Sequence, residues 1–351
     1  MTVCPLSARH RFCSLSTIAV HVAAALGLTV LPGVTRAPSD VRPPVAIEIS
    51  ARPLGAFDLR DPARRQFGSL EFRGGLVLSS PYRHFGGLSG IRVDADGGQF
   101  ISITDKGWWL RGRIRYQGSR PSGIAEAEMA PMLGADGTPL HARGWYDTEA
   151  LASDGDTFYV GIERVHQIVR FNYGKDGLLA RGEPIAVPRG MRSLPATKGI
   201  EGLAFVPNGL PLAGSLIAIS ERGLDRAGNI VAFLIGGPVP GSFSVKRTSD
   251  FDVTDAALLP GGDLLLLERK FSWTEGLDVR LRRIALTSIK PGAVVDGAVL
   301  WQADLNCEID NLEGLSIHRE TGGNTVMTLV SDDNFSLLQR SLLLQFALGK
   351  Q

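Results

Sequence analysis

The chain has 351 residues, 44% of them hydrophobic and 21% charged, with a formal net charge of +1. That is the composition of a globular chain with ample material for a core, and it excludes a strongly basic nucleic-acid binder or a protein with an acidic tail. The 42 glycines beside 7% aromatics point to many short strands joined by turns, and so to an all-β class.

The first element is a leader. Arg9, His10 and Arg11 precede the mostly apolar run 12–34, and Thr35 and Ala37 stand at the −3 and −1 spacing of a signal-peptidase site. The expectation is a signal peptide over 1–37 and a periplasmic or secreted protein with no stable membrane insertion after cleavage. The competing reading is a retained anchor, for which the run is barely long enough and is interrupted by His21 and Pro32. Cys4 and Cys13 lie in the leader, so Cys307 stands alone in the mature chain and no intrachain disulfide is expected. Residues 38–46, "PSDVRPPVA", read as a Pro-rich linker, and the domain as 47–351.

From there one pattern recurs. A polar or acidic residue opens an apolar run, a turn follows, and a second β-rich run ends in a charged pair. The copies are "GGLSGIRVDADGGQFISITDKG", "YDTEALASDGDTFYVGIERVHQIVRF", "GIEGLAFVPNGLPLAGSLIAISERG", "DVTDAALLPGGDLLLLERKF" and "NLEGLSIHRETGGNTVMTLVSDDNF". Aligned on Ser89, Glu149, Glu201, Asp255 and Glu313, they are separated by 60, 52, 54 and 58 residues. β-Repeats of this length predict a β-propeller with four strands per blade. Turns at Asp96-Gly97-Gly98, Asp154-Gly155, Pro207-Asn208-Gly209, Pro260-Gly261-Gly262 and Gly322-Gly323-Asn324 support a hairpin in each copy. Five repeats are visible. Strand-like stretches at 47–80 and 335–348 either complete the last blade from both termini or add a sixth, and closure from both ends removes an exposed edge.

In such a ring the innermost strand of each blade starts at one mouth of the axial channel, and the second strand ends there. Glu149, Glu201, Asp255 and Glu313 therefore converge with the pairs Asp105-Lys106, Glu163-Arg164, Glu221-Arg222, Glu268-Arg269 and Asp332-Asp333. Burying a carboxylate such as Glu201 at the head of an apolar strand is costly without a partner. Two partners are open. In one, each carboxylate pairs with a basic side chain in a purely structural ring. Alternatively Glu149, Glu201, Asp255, Glu313, Asp332 and Asp333 hold a hard cation, Ca²⁺ by preference for oxygen ligands. Lys106, Arg164, Arg222 and Arg269 then face an anionic substrate, and His84, His166 and Glu201 are candidate general acids or bases. "GGLSG" lacks the second glycine of a nucleophile elbow, and there is no phosphate-loop, dinucleotide or zinc spacing.

The stretches "FRGGLVLSS…FGGLSGI…TDKGWW", "YDTEALA…YVGIER", "GIEGLAF…ISERG" and "NLEGLSI…SDDN" resemble, in their order, the phytase-like propeller family known for esterase-like activity of phytase. The resemblance runs from about Phe72 to Leu348. It implies a hydrolase of a phosphoester or other small anionic ester, similar in outline to calcium-dependent phytases that hold metal in an acidic channel mouth. A calcium-dependent lactonase and a non-catalytic periplasmic binding propeller remain the alternatives.

Overall fold

The computed structural model of the chain describes residues 43–320 and 322–349; the predicted leader and its cleavage site lie outside them. Five sheets follow one another along the chain, and they are the blades of a five-bladed propeller. Blade 1 runs outward through Leu88–Val93, Gln99–Thr104, Trp108–Gln117 and Arg120–Pro131. Blade 2 does so through Thr148–Asp154, Thr157–Ile162, Gln167–Asn172 and Arg181–Pro184. Blade 3 is Ile200–Phe205, Ser215–Leu224, Ile230–Gly236 and Gly241–Val245, and blade 4 is Asp252–Leu258, Leu264–Ser272, Gly276–Ile284 and Ala298–Asp304. Within each set of four, neighbouring strands are antiparallel.

Blade 5 answers the question of five or six. Its inner strands, Asn311–Arg319, Thr325–Asp332 and Ser341–Leu348, come from the end of the chain, and its outer strands, Leu70–Ser79 and Ser50–Pro53, come from the beginning. Val45–Ala46, at the end of the predicted linker, lies against Glu128 and Met129 at the rim of blade 1. The innermost strand of blade 1 packs against those of blades 2 and 5, so the ring is closed.

Every sheet buries both faces, which is why the strands read as continuous apolar runs rather than strict alternations. Leu264 to Leu267 shows the logic. All four are buried, but Leu264 and Leu266 join the core shared with blade 3 while Leu265 and Leu267 join the core shared with blade 5, because successive side chains leave a strand on opposite faces. Among the described residues there are five such cores, one between each pair of neighbouring blades. Each fully buried leucine contributes about 1.5–3 kcal/mol, so blade-to-blade packing supplies the stability of the described residues, where Cys307 is a free thiol. The hairpins turn where expected. Asp154 pairs with Thr157 across a two-residue turn in which Gly155 has φ 53°, the left-handed region that favours glycine.

Candidate functional site

Each innermost strand carries a bulge near its first residue, and the bulges build the site. The pairing register slips between Leu88 and Gly90, Thr148 and Ala150, Ile200 and Gly202, Val253 and Asp255, and Leu312 and Gly314. The residue left out of the ladder is Ser89, Glu149, Glu201, Thr254 or Glu313. A bulge frees one residue per strand from pairing and re-aims its side chain. In blades 1 and 4 the freed hydroxyl donates to the neighbouring blade: Ser89 to the Thr148 carbonyl at 2.6 Å, and Thr254 to the Leu312 carbonyl at 3.0 Å. In blades 2, 3 and 5 the freed residue is a glutamate. Glu149, Glu201 and Glu313 feel one another's charge.

A second ring surrounds the first. Asp105, Glu163, Glu221, Arg269 and Asp332 hold equivalent places at the ends of the second strands, opposite Gly87, Asp147, Gly199, Asp252 and Asn311. Glu163, Glu201 and Glu221 each place a carboxylate oxygen within 4.8 Å of the other two. Glu221 is buried, and Lys198 is its ion-pair partner. Arg269 lies 3.0 Å from Glu313 and 3.8 Å from Glu221. Glu163 accepts from the Gly199 amide at 2.8 Å, and Glu313 from the Asn311 side chain at 2.7 Å. Glu201 Oε2 and Asp105 Oδ1 are buried with no hydrogen-bond partner among the described residues.

Seven carboxylates against Lys106, Lys198 and Arg269 leave the mouth over-supplied with negative charge. Burial is the largest cause of the response, and like charges add to it. The Glu149 and Glu201 carboxyls are pushed well above the usual range by burial and then by neighbouring glutamates. Burial raises Glu163 to about 7, with Glu221 and Asp147 adding to the rise. Asp332 rises to about 8, through burial and then Glu313. Asp105 and Glu313 are raised in the same direction, by burial first.

The structure corrects the alignment of blade 4 by one residue. The bulge falls on Thr254, so Asp255 lies below the mouth. Its carboxylate accepts from the Leu315 amide at 2.7 Å and the Ala256 amide at 2.7 Å, and lies 3.5 Å from Arg92. Glu268 likewise leaves the mouth: it is buried between Arg280 and Arg282, while Arg269 on the opposite face takes the ring position. Asp333 is engaged in closing the propeller. It accepts from the Gly87 and Phe335 amides at 3.0 Å each and from the Ser341 hydroxyl at 2.8 Å, so it is withdrawn from the metal set. His84 is not brought to the carboxylates. It stacks on Trp108 at 3.9 Å and accepts from Arg83 in a side cleft of about 240 Å³ with Tyr82 and His141. Burial there lowers its basicity.

His166 does sit beside the cluster. It takes φ 47° after the turn Glu163–Val165, and its Nδ1, buried and unpartnered among the described residues, lies where a side chain at Gly199 would meet it together with Glu163. Lys106 pairs with Asp105 at 2.8 Å and lies over the Phe335 ring; Arg164 lies over Tyr146 and 3.7 Å from Asp147. Arg222 is taken up by Asp252. Glu163 and Glu221 were visible in sequence only as halves of charged pairs, and Lys198 carried no signal, because it reaches the mouth from an irregular loop.

A family model described as "Phytase-like: Esterase-like activity of phytase" matches residues 83–335. No curated protein matches the chain. Solved structures with some likeness include a protein of unknown function from Bacteroides caccae, 13% identical over 68% of this chain and 67% of that one, TM-score 0.31. Another is the glutaminyl cyclase of Myxococcus xanthus, 12% identical over 76% and 92%, TM-score 0.37. A third is the N-terminal domain of Nup159, 9% identical over 81% and 96%, TM-score 0.37. These likenesses carry no argument about function.

Proposed function

The chain belongs to the phytase-like family, and from that premise we propose that it is an exported propeller hydrolase that cleaves a phosphoester or another small anionic ester at the carboxylate-lined mouth, assisted by a divalent cation of the calcium type. The observation that carries the reading is Glu201: a buried carboxylate oxygen without a hydrogen-bond partner among the described residues, inside a cluster where Glu163 and Glu221 lie within 4.8 Å. The three carboxylates offer oxygen donors, which suit a hard cation. Glu163, Glu201 and Glu221 would hold it, with Glu149, Glu313 and Asp332 close enough in charge to favour it. Such an ion, when bound, offsets charge on the ester and lowers the pKa of water.

The chain's own residues divide the remaining work. Lys106 and Arg164, both about half exposed, present cations to an incoming anion, and Lys198 and Arg269 stand among the buried carboxylates as partners of Glu221 and Glu313. Fixed positive charge of this kind stabilises negative charge as it develops on the reacting group. Glu163 is engaged with the cation, which leaves His166, whose buried Nδ1 lies beside it, as the candidate for proton transfer.

The test is calcium titration of the purified protein after chelation, followed by thermal melting. A ligand that binds only the native state raises the melting temperature. The expected result is a saturable rise that Glu201→Gln abolishes, together with hydrolysis of a phosphoester panel that is lost in the same variant. A flat titration overturns the cation reading. Calcium-dependent turnover of lactones but not phosphoesters would replace the substrate class.

A further inference from the structure

Below the two acidic rings, on the propeller axis, lies a different kind of site. Arg92 is the fourth residue of the innermost strand of blade 1 counted from the bulge at Ser89, and its guanidinium turns inward. Nη1 donates to the carbonyls of Ile91 at 2.6 Å and Leu315 at 2.7 Å. Nη2 donates to the carbonyls of Leu151 and Leu203, the latter at 3.1 Å, and reaches that of Ala256 at 3.5 Å. Those five residues hold one repeat position: each stands two places after its strand's bulge, one per blade. The Asp255 carboxylate, fully buried, lies 3.5 Å away and is itself held by the Leu315 amide.

We propose that the ring of five backbone carbonyls is a binding site for a small planar cation, built by the fold and filled by the chain's own Arg92, which thereby clasps all five blades and seals the axial channel beneath the acidic mouth. The chemistry is specific. Carbonyl dipoles pointing at one axis favour positive charge. A planar fork with several N–H donors meets a ring of acceptors that a single ammonium, with three donors, cannot satisfy. Most inter-blade contact is apolar and shared by two blades only, whereas Arg92 hydrogen-bonds to all five. The inference rests on this geometry and is independent of the function assigned to the mouth. Its consequence for that mouth is a pocket that opens on one face.

Arg92→Ala empties the ring and leaves room for a free guanidinium ion. The expected result is a melting temperature lowered by about 5 °C or more, a saturable recovery on adding guanidinium chloride at low millimolar concentration, and one bound guanidinium per chain by calorimetry. That range is far below the molar concentrations at which guanidinium unfolds proteins. Wild type, whose ring is filled, should show neither recovery nor binding, and urea should rescue nothing. Arg92→Lys should lie between the two proteins. An Arg92→Ala protein that melts like wild type, or that gains nothing from guanidinium, overturns the proposal. If Arg92→Ala fails to fold, refolding it with and without guanidinium decides the same point: soluble yield restored by the ion supports the site, and no difference overturns it. Calcium melts in the same series separate the two ideas, since a wild type indifferent to calcium removes the metal reading while the guanidinium result still judges the clasp.

Discussion

Glu163 and Asp332 show how a single residue's surroundings become a property of the whole protein. Their carboxyls rise from ordinary values of 4.5 and 3.8 to about 7 and about 8. A carboxyl whose folded pKa is raised keeps its proton longer in the native state than in the unfolded one. The native state therefore binds more protons between those values, and stability is full at the acid end and is lost as pH rises through 7 and 8. Groups shifted the other way act elsewhere: Asp136, held at about 2 by Arg143, contributes stability that is lost only as pH falls below 3.8. The expected outcome in chelator is a melting temperature that declines from pH 5 to pH 8.5. Added calcium should flatten that decline, because a cation among the carboxylates replaces their protons. A melting temperature that rises over the same interval in chelator would show that these carboxyls are not crowded as described.

Blade 4 shows, at the scale of the element, what a sequence displays and what it conceals. The repeats were legible because each inner strand pairs a polar head with an apolar run, and hairpin turns fall at matching places. The position of a bulge is not legible in the same way. "DVTDAALL" offers Asp255 to an eye seeking carboxylates, yet the extra residue is Thr254, whose hydroxyl can satisfy the next blade's carbonyl as Ser89 does in blade 1. A slip of one residue reverses the facing of the partner strand as well. So Glu268 points between blades, where its carboxylate meets Arg280 at 2.8 Å and Arg282 at 2.5 Å, and Arg282 continues to Asp296 at 2.9 Å. Glu268, Arg280 and Arg282 are all buried. Removing one partner of a buried ionic group strands the other charge, at a cost of about 3–5 kcal/mol. Glu268→Ala should lower the unfolding free energy by that amount, read as a lower urea midpoint at an unchanged slope, while the calcium response of the mouth stays as in wild type, because Arg269 faces the other way. Loss of the calcium response with no loss of stability would return Glu268 to the mouth.

At the scale of the whole molecule the question is where a closed ring opens first. The four main strands of each of blades 1 to 4 follow one another along the chain, with the short strands Val45–Ala46 and Val294–Val295 added at the rims of blades 1 and 3, and blade 5 alone is assembled from both ends of the described chain. Its seam is the pairing of Ser341–Leu348 with Leu70–Ser79. One aromatic cluster covers that seam: Phe346 from the end of the chain lies 5.1 Å from Phe57, 5.3 Å from Phe72 and 5.3 Å from Trp301, with Phe67 packed against Phe57. The cluster was hidden in the sequence, since its members are scattered over nearly the full length of the domain and share no periodicity. Phe346→Ala removes the central ring, and truncating a buried phenylalanine costs about 3–5 kcal/mol through lost transfer energy and the cavity left behind. The loss should not spread evenly, because stability is distributed in cooperative units. Hydrogen exchange of the variant should speed up first along Leu70–Ser79 and Ser341–Leu348, while the amides of Thr157–Ile162 in blade 2 keep their protection. Uniform acceleration in all five blades would mean that the ring opens as one unit and that the two-ended blade is no weaker than its neighbours.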